Sequence, residues 1–320
     1  MNESTEPKVR YMQAIFTDPN TKPRLTLREV VVPTPAPNQA LIKVEAFSLN
    51  QGETRTALAA TKSYTPGWDF AGVIDLAAAD GSTPKEGTRV FGFVASGSWA
   101  GYVTAHNGGM AVIPEGVTYA QAASLPVAGV TALTALDTAG SLIGRRVLIT
   151  GAAGGVGRFA CQLAALAGAE VFALSRRPDL PQQLREEGVQ PAGVFTTIAA
   201  AAAAGKYDVI LDSVGGETLA GTVTALSRDG VCINFGNSAR QPTTFNVRTS
   251  EWPFHRTQYI WLGREPAADN TPILTRLIRM VKQGRLHTPI DRELPWTHVA
   301  EAAEQLVQQQ VNGKIVLNVL

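Results

Sequence analysis

Seven residues, Gly151-Ala-Ala-Gly-Gly-Val-Gly157, join an apolar run ending at Thr150 to a long apolar stretch that reaches Ala169. Strand, glycine turn, helix is an order that leaves bare backbone N–H groups at a helix N-terminus, where the helix dipole favours an anion. The expected anion is the pyrophosphate of a dinucleotide, held on Ala152, Gly154, Gly155, Val156 and Gly157. In the G-x-G-x-x-G register Ala152 takes the first position, followed by Gly154 and Gly157, so the tight turn must accept a Cβ at its first position. The next apolar run ends in Ser175-Arg176-Arg177 rather than in an acid. A carboxylate there would hold the ribose hydroxyls of NAD. Guanidiniums fork a phosphate, so this end suits the 2′-phosphate of NADP and predicts NADPH as cofactor. The plainer alternative is a pair of solvated arginines opening a surface loop.

These residues need a scaffold, and the pattern from Arg146 onward supplies one. Strands are predicted at Val147–Thr150, Glu170–Leu174, Gly193–Phe195, Tyr207–Asp212 and Gly230–Phe235, with helical segments between them. That alternation predicts a doubly wound parallel sheet, with helices on both faces. The run Ala199–Ala204 reads as a short helix stopped by Gly205, with a flexible linker as its rival. Tyr119–Leu125 and Pro126–Ala139 read as helices, the second opened by Pro126.

Residues 9–113 are β-rich instead. Val9–Phe16, Arg24–Val32, Gln39–Ser48, Asp69–Ala77, Thr88–Val94 and Trp99–Ala105 are candidate strands, separated by Pro, Gly and Asn. Many short strands with turn punctuation predict a partly open β-barrel. Thr271–Gln283 is an amphipathic helix stopped by Gly284, Thr297 caps a second helix through Gln309, and Gly313-Lys-Ile-Val-Leu-Asn-Val-Leu is a terminal strand returning to the first, β-rich part. The expected division is 1–118 with 267–320 for the barrel part and 119–266 for the nucleotide part.

The chain has 320 residues, a net charge of +1 and two cysteines, Cys161 and Cys232. That balance gives no case for nucleic acid or an anionic membrane as partner. Two distant cysteines make no disulfide framework and fit a reducing cytosol. The polar start is not a signal peptide, and no apolar run is long enough to span a bilayer, so a cytoplasmic protein is expected.

Several further motifs, in this order and spacing, carry a resemblance: Ser48-Leu-Asn50, Gly67-Trp-Asp-Phe-Ala-Gly-Val, Pro114-Glu-Gly-Val, Ala122-Ala-Ser-Leu-Pro-Val-Ala-Gly-Val-Thr-Ala, the glycine turn, Asp212-Ser-Val-Gly-Gly and Gly313-Lys-Ile-Val-Leu. Through them the chain resembles the medium-chain dehydrogenase/reductase superfamily, in its zinc-free quinone oxidoreductase-like branch. The resemblance implies an α/β fold with a GroES-like substrate domain, a Rossmann domain, a cleft between them and assembly as a homodimer or homotetramer, with a homodimer expected. Zinc members carry ligands where this chain has Asn50, Trp68 and Pro126–Gly129, and the four-cysteine zinc lobe has no counterpart. His106, His255, His287 and His298 show no ligand spacing, so no metal is expected.

The resemblance also places residues in the cleft. Asn50 offers an amide donor and Tyr64 a phenol, and Thr131 matches a threonine that faces the nicotinamide. Val214, and Phe235 with Gly236 in the Asn234-Phe-Gly-Asn turn, are expected to hold the carboxamide. Asn312 and Lys314 match a terminal element beside the cofactor. Asn50 is equally a turn cap, Tyr64 a packed aromatic and Thr131 a helix residue bonding back to a carbonyl. Asp69 reads as a structural acceptor, Glu53 as a solvated loop residue, and both cysteines as inert core thiols. Trp68, Trp99, Phe93 and the segment Trp252-Pro-Phe-His-Arg-Thr-Gln-Tyr-Ile-Trp261 could roof an apolar pocket, with a subunit interface as the equal alternative for that segment.

Without a metal to hold an alkoxide, the accessible reaction is hydride delivery to an electron-poor carbon, in a quinone or an α,β-unsaturated carbonyl. The expected function is therefore an NADPH-dependent quinone or enone reductase acting on a small molecule. An enoyl reductase serving a polyketide or acyl thioester, and a nucleotide-binding redox sensor without turnover, are the alternatives.

Overall fold

The computed structural model describes residues 9–244, 256–259 and 268–319, with side chains for all but 256–259. Two larger sheets organise it. The first is built mainly from the early part of the chain. After a hairpin of β1 (Tyr11–Thr17) and β2 (Leu25–Val31) comes the long β3 (Gln39–Ser48). Helix α1 (Gln51–Leu58) follows, then β4 (Asp69–Leu76), β5 (Arg89–Phe93), β6 (Tyr102–His106) and β7 (Met110–Val112). Helix α1 is absent from the sequence expectations. Its residues lack an apolar period, and what starts it is local: Asn50 is extended and its N–H donates to Glu53 Oε1 at 2.9 Å.

Helices α2 (Tyr119–Ser124) and α3 (Pro126–Ala139) lead into the second sheet. Its elements are β8 (Arg146–Thr150), α4 (Gly155–Leu166), β9 (Glu170–Leu174), α5 (Leu180–Glu186) and β10 (Gly193–Phe195). Then come α6 (Ile198–Ala203), β11 (Tyr207–Asp212), α7 (Gly216–Ala225), β12 (Leu226–Asn234) and β13 (Arg256–Tyr259). All its pairings are parallel, in the order β10-β9-β8-β11-β12-β13. The order reverses between β8 and β11, and a doubly wound sheet binds ligands at that switch point, outside the carboxyl ends of its strands. The alanine run is the helix of the two alternatives, and Thr197 Oγ1 caps it by accepting from Ala200 N–H at 3.2 Å.

The chain then returns. Helix α8 (Thr271–Lys282) packs on α3, and β14 (Ile290–Pro295), α9 (Val299–Val307) and β15 (Lys314–Asn318) close the first sheet. Its strand order is β14-β15-β3-β4-β5-β7, with β6 pairing β3 as well. The terminal strand thus pairs with β3, as a strand needing a partner edge should. Thr297 is not the cap of the last helix: a short 3₁₀ turn, Trp296–His298, precedes it, and the Thr297 hydroxyl lies 3.4 Å from His298 Nδ1. Strand β14 alternates half-buried and exposed positions among charged residues, which leaves little apolar period to read. One apolar core runs from Ala46, Ala71 and Phe91 of the first sheet through α2 and α3 to Ile149 and Leu211 of the second, so buried side chains are continuous across both.

Candidate active site

At the carboxyl end of β8 the chain turns on Gly151, whose φ is +60°. The left-handed residue is therefore the one before Ala152, which explains how the turn accepts a Cβ at the first position of the register. Ala152 is fully buried and Gly154 caps α4 from an extended conformation. The first N–H groups of α4 have no partner within the helix. Gly157 packs against the turn so closely that an added Cβ would lie 2.4 Å from Gly151 O. Here is a cradle of the shape a pyrophosphate needs, and it fits a nicotinamide cofactor.

Asp212 ties the switch point together from the end of β11. It accepts from Thr150 Oγ1 (2.7 Å), from Gly215 N–H (2.9 Å) and from Asn234 Nδ2 (2.7 Å). Ser213 N–H in turn donates to Thr150 Oγ1 at 3.1 Å. These bonds fix the Val214 and Phe235–Gly236 turns side by side: Ala239 N–H donates to Val214 O at 2.8 Å and Phe235 N–H to Asp212 O at 3.0 Å. Thr150 had no sequence signal beyond its place at a strand end, and Asp212 stood in the Asp212-Ser-Val-Gly-Gly motif without a role attached to it.

At the end of β9 Ser175 is buried and its hydroxyl accepts from Arg177 N–H at 3.0 Å. Arg176 and Arg177 emerge together and reach Gln309, in the loop after α9. Asp179, one turn on, is bonded by Asn312 Nδ2 at 2.8 Å. Asn312 therefore sits beside the end of β9, two residues from Lys314, which is buried.

Lys314 links the glycine turn to the first sheet. Its aliphatic stem lies over Gly155, where an added Cβ would come within 2.6 Å of Cδ. Its buried ammonium donates to Leu49 O (3.0 Å) and Asn50 Oδ1 (2.6 Å) and stands 3.4 Å from Asp69 Oδ2. Asp69 also accepts from Ser48 Oγ (2.6 Å), Asn50 Nδ2 (2.8 Å) and Val127 N–H (2.9 Å). Asn50 Nδ2 donates a second bond, to Glu53 Oε1 at 3.1 Å. Both amide hydrogens of Asn50 are thus committed, so in this arrangement the residue positions its neighbours and offers no donor to a substrate oxygen.

Glu53 is not a solvated loop residue. It lies on α1, is only 3% exposed, and its Oε2 has no partner. Burial, reinforced by Asp69, pushes its carboxyl up to about 8, against the pull of Lys314. The folded protein therefore keeps a proton that the unfolded chain releases near the ordinary value of 4.5. The sign follows: the Glu53 contribution is fully present below the ordinary value and is lost as pH rises through about 8. Glu53→Gln, neutral at every pH, is expected to gain in Tm on the native protein as pH is raised from 5.5 to 8.5. Parallel melting curves at four pH values check this, and a constant difference would place the proton elsewhere.

Of the remaining predicted residues, Tyr64, Trp68, Phe93 and Thr131 adjoin the elements that carry this cluster. Tyr64 is half-buried, and its hydroxyl has no hydrogen-bond partner among the described residues. Burial, then Glu53, raises its phenol above the ordinary range, so it stays protonated at neutral pH. The Trp68 ring lies against the start of α1, 2.9 Å from where a Cβ on Gly52 would be. Phe93 is half-buried at the end of β5, beside Trp68 O, to which Val94 N–H donates at 2.9 Å. Trp99 is no pocket wall: it is fully buried and stacks on Phe47 with ring centroids 5.9 Å apart. Thr131 spends its hydroxyl hydrogen on Val127 O, one turn back, at 2.6 Å. Trp252, with the rest of 251–255, lies outside the described residues. Cys161 and Cys232 are buried, and burial pushes both thiols up to about 12, which leaves them inert.

Among the described residues no helix is long and apolar enough to cross a membrane. Residues 36–135 match the family described as alcohol dehydrogenase GroES-like domain, and residues 188–317 that described as zinc-binding dehydrogenase. The chain is 29% identical over 308 residues to the chloroplast envelope quinone oxidoreductase homolog of Arabidopsis thaliana, covering 90% of this chain and 92% of that one. It is also 29% identical over 304 residues to a mycocerosic acid synthase-like polyketide synthase of Mycobacterium tuberculosis, covering 89% of this chain but only 14% of that much longer protein. The solved structure of the quinone oxidoreductase from Coxiella burnetii superposes with a TM-score of 0.85 at 27% identity, covering 97% of this chain and 100% of that one. With its GroES-like part, its parallel nucleotide-binding sheet and these relatives, the chain belongs to the medium-chain dehydrogenase/reductase superfamily, in the quinone oxidoreductase-like branch.

Proposed function

We propose that this oxidoreductase uses NADPH to reduce a quinone or the activated double bond of an α,β-unsaturated carbonyl, without zinc. The observation that carries the reading is the position of Lys314, with its stem on the glycine turn and its ammonium among Asn50, Leu49 and Asp69. The place next to Asn50 holds an organic cation, and the donors around it are an amide, a main-chain carbonyl and carboxylates rather than thiolates or imidazoles. Such a set does not fit zinc, and among the described residues no group of three His, Cys, Asp or Glu could hold a metal ion. Bound NADPH would supply a hydride from C4 of its nicotinamide. When hydride adds to the β-carbon of an enone, the π electrons shift and negative charge collects on the carbonyl oxygen. Tyr64, protonated and with a hydroxyl that has no partner among the described residues, is the donor available to that oxygen. Trp68 and Phe93 supply apolar surface for a flat substrate.

The polyketide synthase relative supports a second substrate class, an enoyl thioester, by the same chemistry. Oxidation of NADPH is to be followed with small quinones, simple enones and crotonyl thioesters. Turnover of any of them supports the reading and ranks the classes. Tight NADPH binding with no turnover of any would replace it with a sensor.

The cofactor choice rests on Arg176 and Arg177. Removing both as alanine is expected to lower kcat/KM for NADPH about 30-fold, on the order of 2 kcal/mol for exposed charge-assisted bonds to a phosphate. The value for NADH should change little. A native preference for NADH would overturn the assignment.

A further inference from the structure

Gln309 stands in a backbone conformation that glycine normally takes. Helix α9 ends at Val307 with Gln308 as its cap, and Gln309 follows with φ at +60°. Its N–H donates to Leu306 O at 3.1 Å, and that of Gln310 to Gln305 O at 3.0 Å, which are the bonds of a left-handed helix ending. A Cβ crowds the carbonyl oxygen in that conformation, so glycine is the default residue there. Arg240 is the one other side-chain-bearing residue with a positive φ among the described residues.

The strained residue has a defined task. Its side-chain Oε1 accepts from Arg176 Nη2 at 2.7 Å, and its main-chain O accepts from Arg177 Nη2. Nearby, Asp179, the acid of the same turn, is occupied by Asn312 Nδ2 at 2.8 Å and Gln183 Nε2 at 3.0 Å. Each guanidinium has five N–H donors and commits one of them to Gln309. Two neighbouring guanidiniums repel each other. The neutral side-chain and main-chain oxygens of Gln309 hold the pair together, and among the described residues neither guanidinium is paired with a carboxylate.

We infer that Gln309 is a specificity-determining positioning residue, which holds Arg176 and Arg177 side by side so that their remaining donors face one 2′-phosphate. This rests on the NADPH reading above. A local rule broken at an exposed position, with two guanidiniums gathered on the offending residue, is what such a role requires.

The experiment compares kcat/KM for NADPH and NADH in the native protein, the Arg176→Ala/Arg177→Ala double variant, Gln309→Gly and Gln309→Glu. Gln309→Gly relieves the backbone, so Tm is expected to rise by about 2 °C. The NADPH/NADH ratio is expected to fall about 5-fold through loss of the one side-chain hydrogen bond that orders Arg176. Gln309→Glu keeps the backbone strain but puts a carboxylate on Arg176 in competition with phosphate, and the ratio should fall roughly 30-fold. A purely structural role predicts the rise in Tm with an unchanged ratio in Gln309→Gly, the variant that adds no competing charge. That result, with the ratio lost in the double arginine variant, would overturn the inference and leave NADPH binding at the arginines intact. An unchanged ratio in the double arginine variant would overturn both.

Discussion

Lys314→Met is expected to cost about 3 kcal/mol of stability, a fall in Tm of roughly 6–10 °C. Methionine nearly preserves the stem that covers Gly155, so the loss isolates the ammonium. Taking one partner from a buried ion pair leaves the other desolvated and uncompensated, which typically costs about 3–5 kcal/mol. The lower end applies because Asp69 keeps bonds from Ser48, Asn50 and Val127. Leu49 O and Asn50 Oδ1 lose their donor outright. A cycle with Asp69→Asn separates the charge from the packing: if the ion pair is the origin, the double variant loses clearly less than the sum of the two single ones. Simple additivity would show that Lys314 and Asp69 act independently. The same variant bears on chemistry, since it removes the cation that stands beside Asn50 and changes the field over the groove next to Tyr64.

That cluster shows where sequence reasoning stops. The parallel sheet was legible because its signal is local: most strands and helices of residues 146–234 are apolar stretches closed by a nearby Gly, Ser or Asp. Ser175-Arg176-Arg177 was legible for the same reason. Glu53 was not. A short polar stretch, Gln51-Gly-Glu-Thr-Arg-Thr, has no apolar face, so it reads as a loop. Glu53 faces Asp69 of β4 and Lys314 of β15, and Lys314 lies 245 positions along the chain from Asp69. Contacts of such separation leave no trace in spacing. Asn50 had a chemical assignment from its place in the resemblance, yet its amide hydrogens are spent on Glu53, three residues on, and on Asp69, a strand away. Trp99 failed in the opposite direction: an aromatic near the cleft in sequence terms is a core residue in space, stacked on Phe47. Gln309 is the subtler case. The apolar period ends before it, but only backbone geometry reveals that a residue other than glycine has been placed at the left-handed position.

Gly157→Ala is expected to damage both the fold and the cofactor site. At this position φ is not in the left-handed region, so the backbone itself would tolerate alanine. Space is what fails: the added Cβ would lie 2.4 Å from Gly151 O, 2.6 Å from Ala152 Cα and 2.9 Å from Ala152 C. All three are backbone atoms of one turn and none can rotate away. Either α4 lifts off the end of β8 or the turn deforms, and overpacking of this kind costs up to about 3 kcal/mol. Both outcomes misplace the N–H groups meant for the pyrophosphate, so Kd for NADPH should rise roughly 100-fold, about 2.7 kcal/mol. Gly154→Ala provides the contrast. Its Cβ would meet only Gly151 O, at 3.3 Å, and its φ of −80° suits alanine. That variant should keep its Tm within about 2 °C and still bind NADPH poorly, because the Cβ stands where backbone must approach phosphate. Melting curves and NADPH titrations on both variants decide the matter. Tight binding by Gly154→Ala would mean that the pyrophosphate does not rest on this turn, and the place of the cofactor in the groove would have to be redrawn.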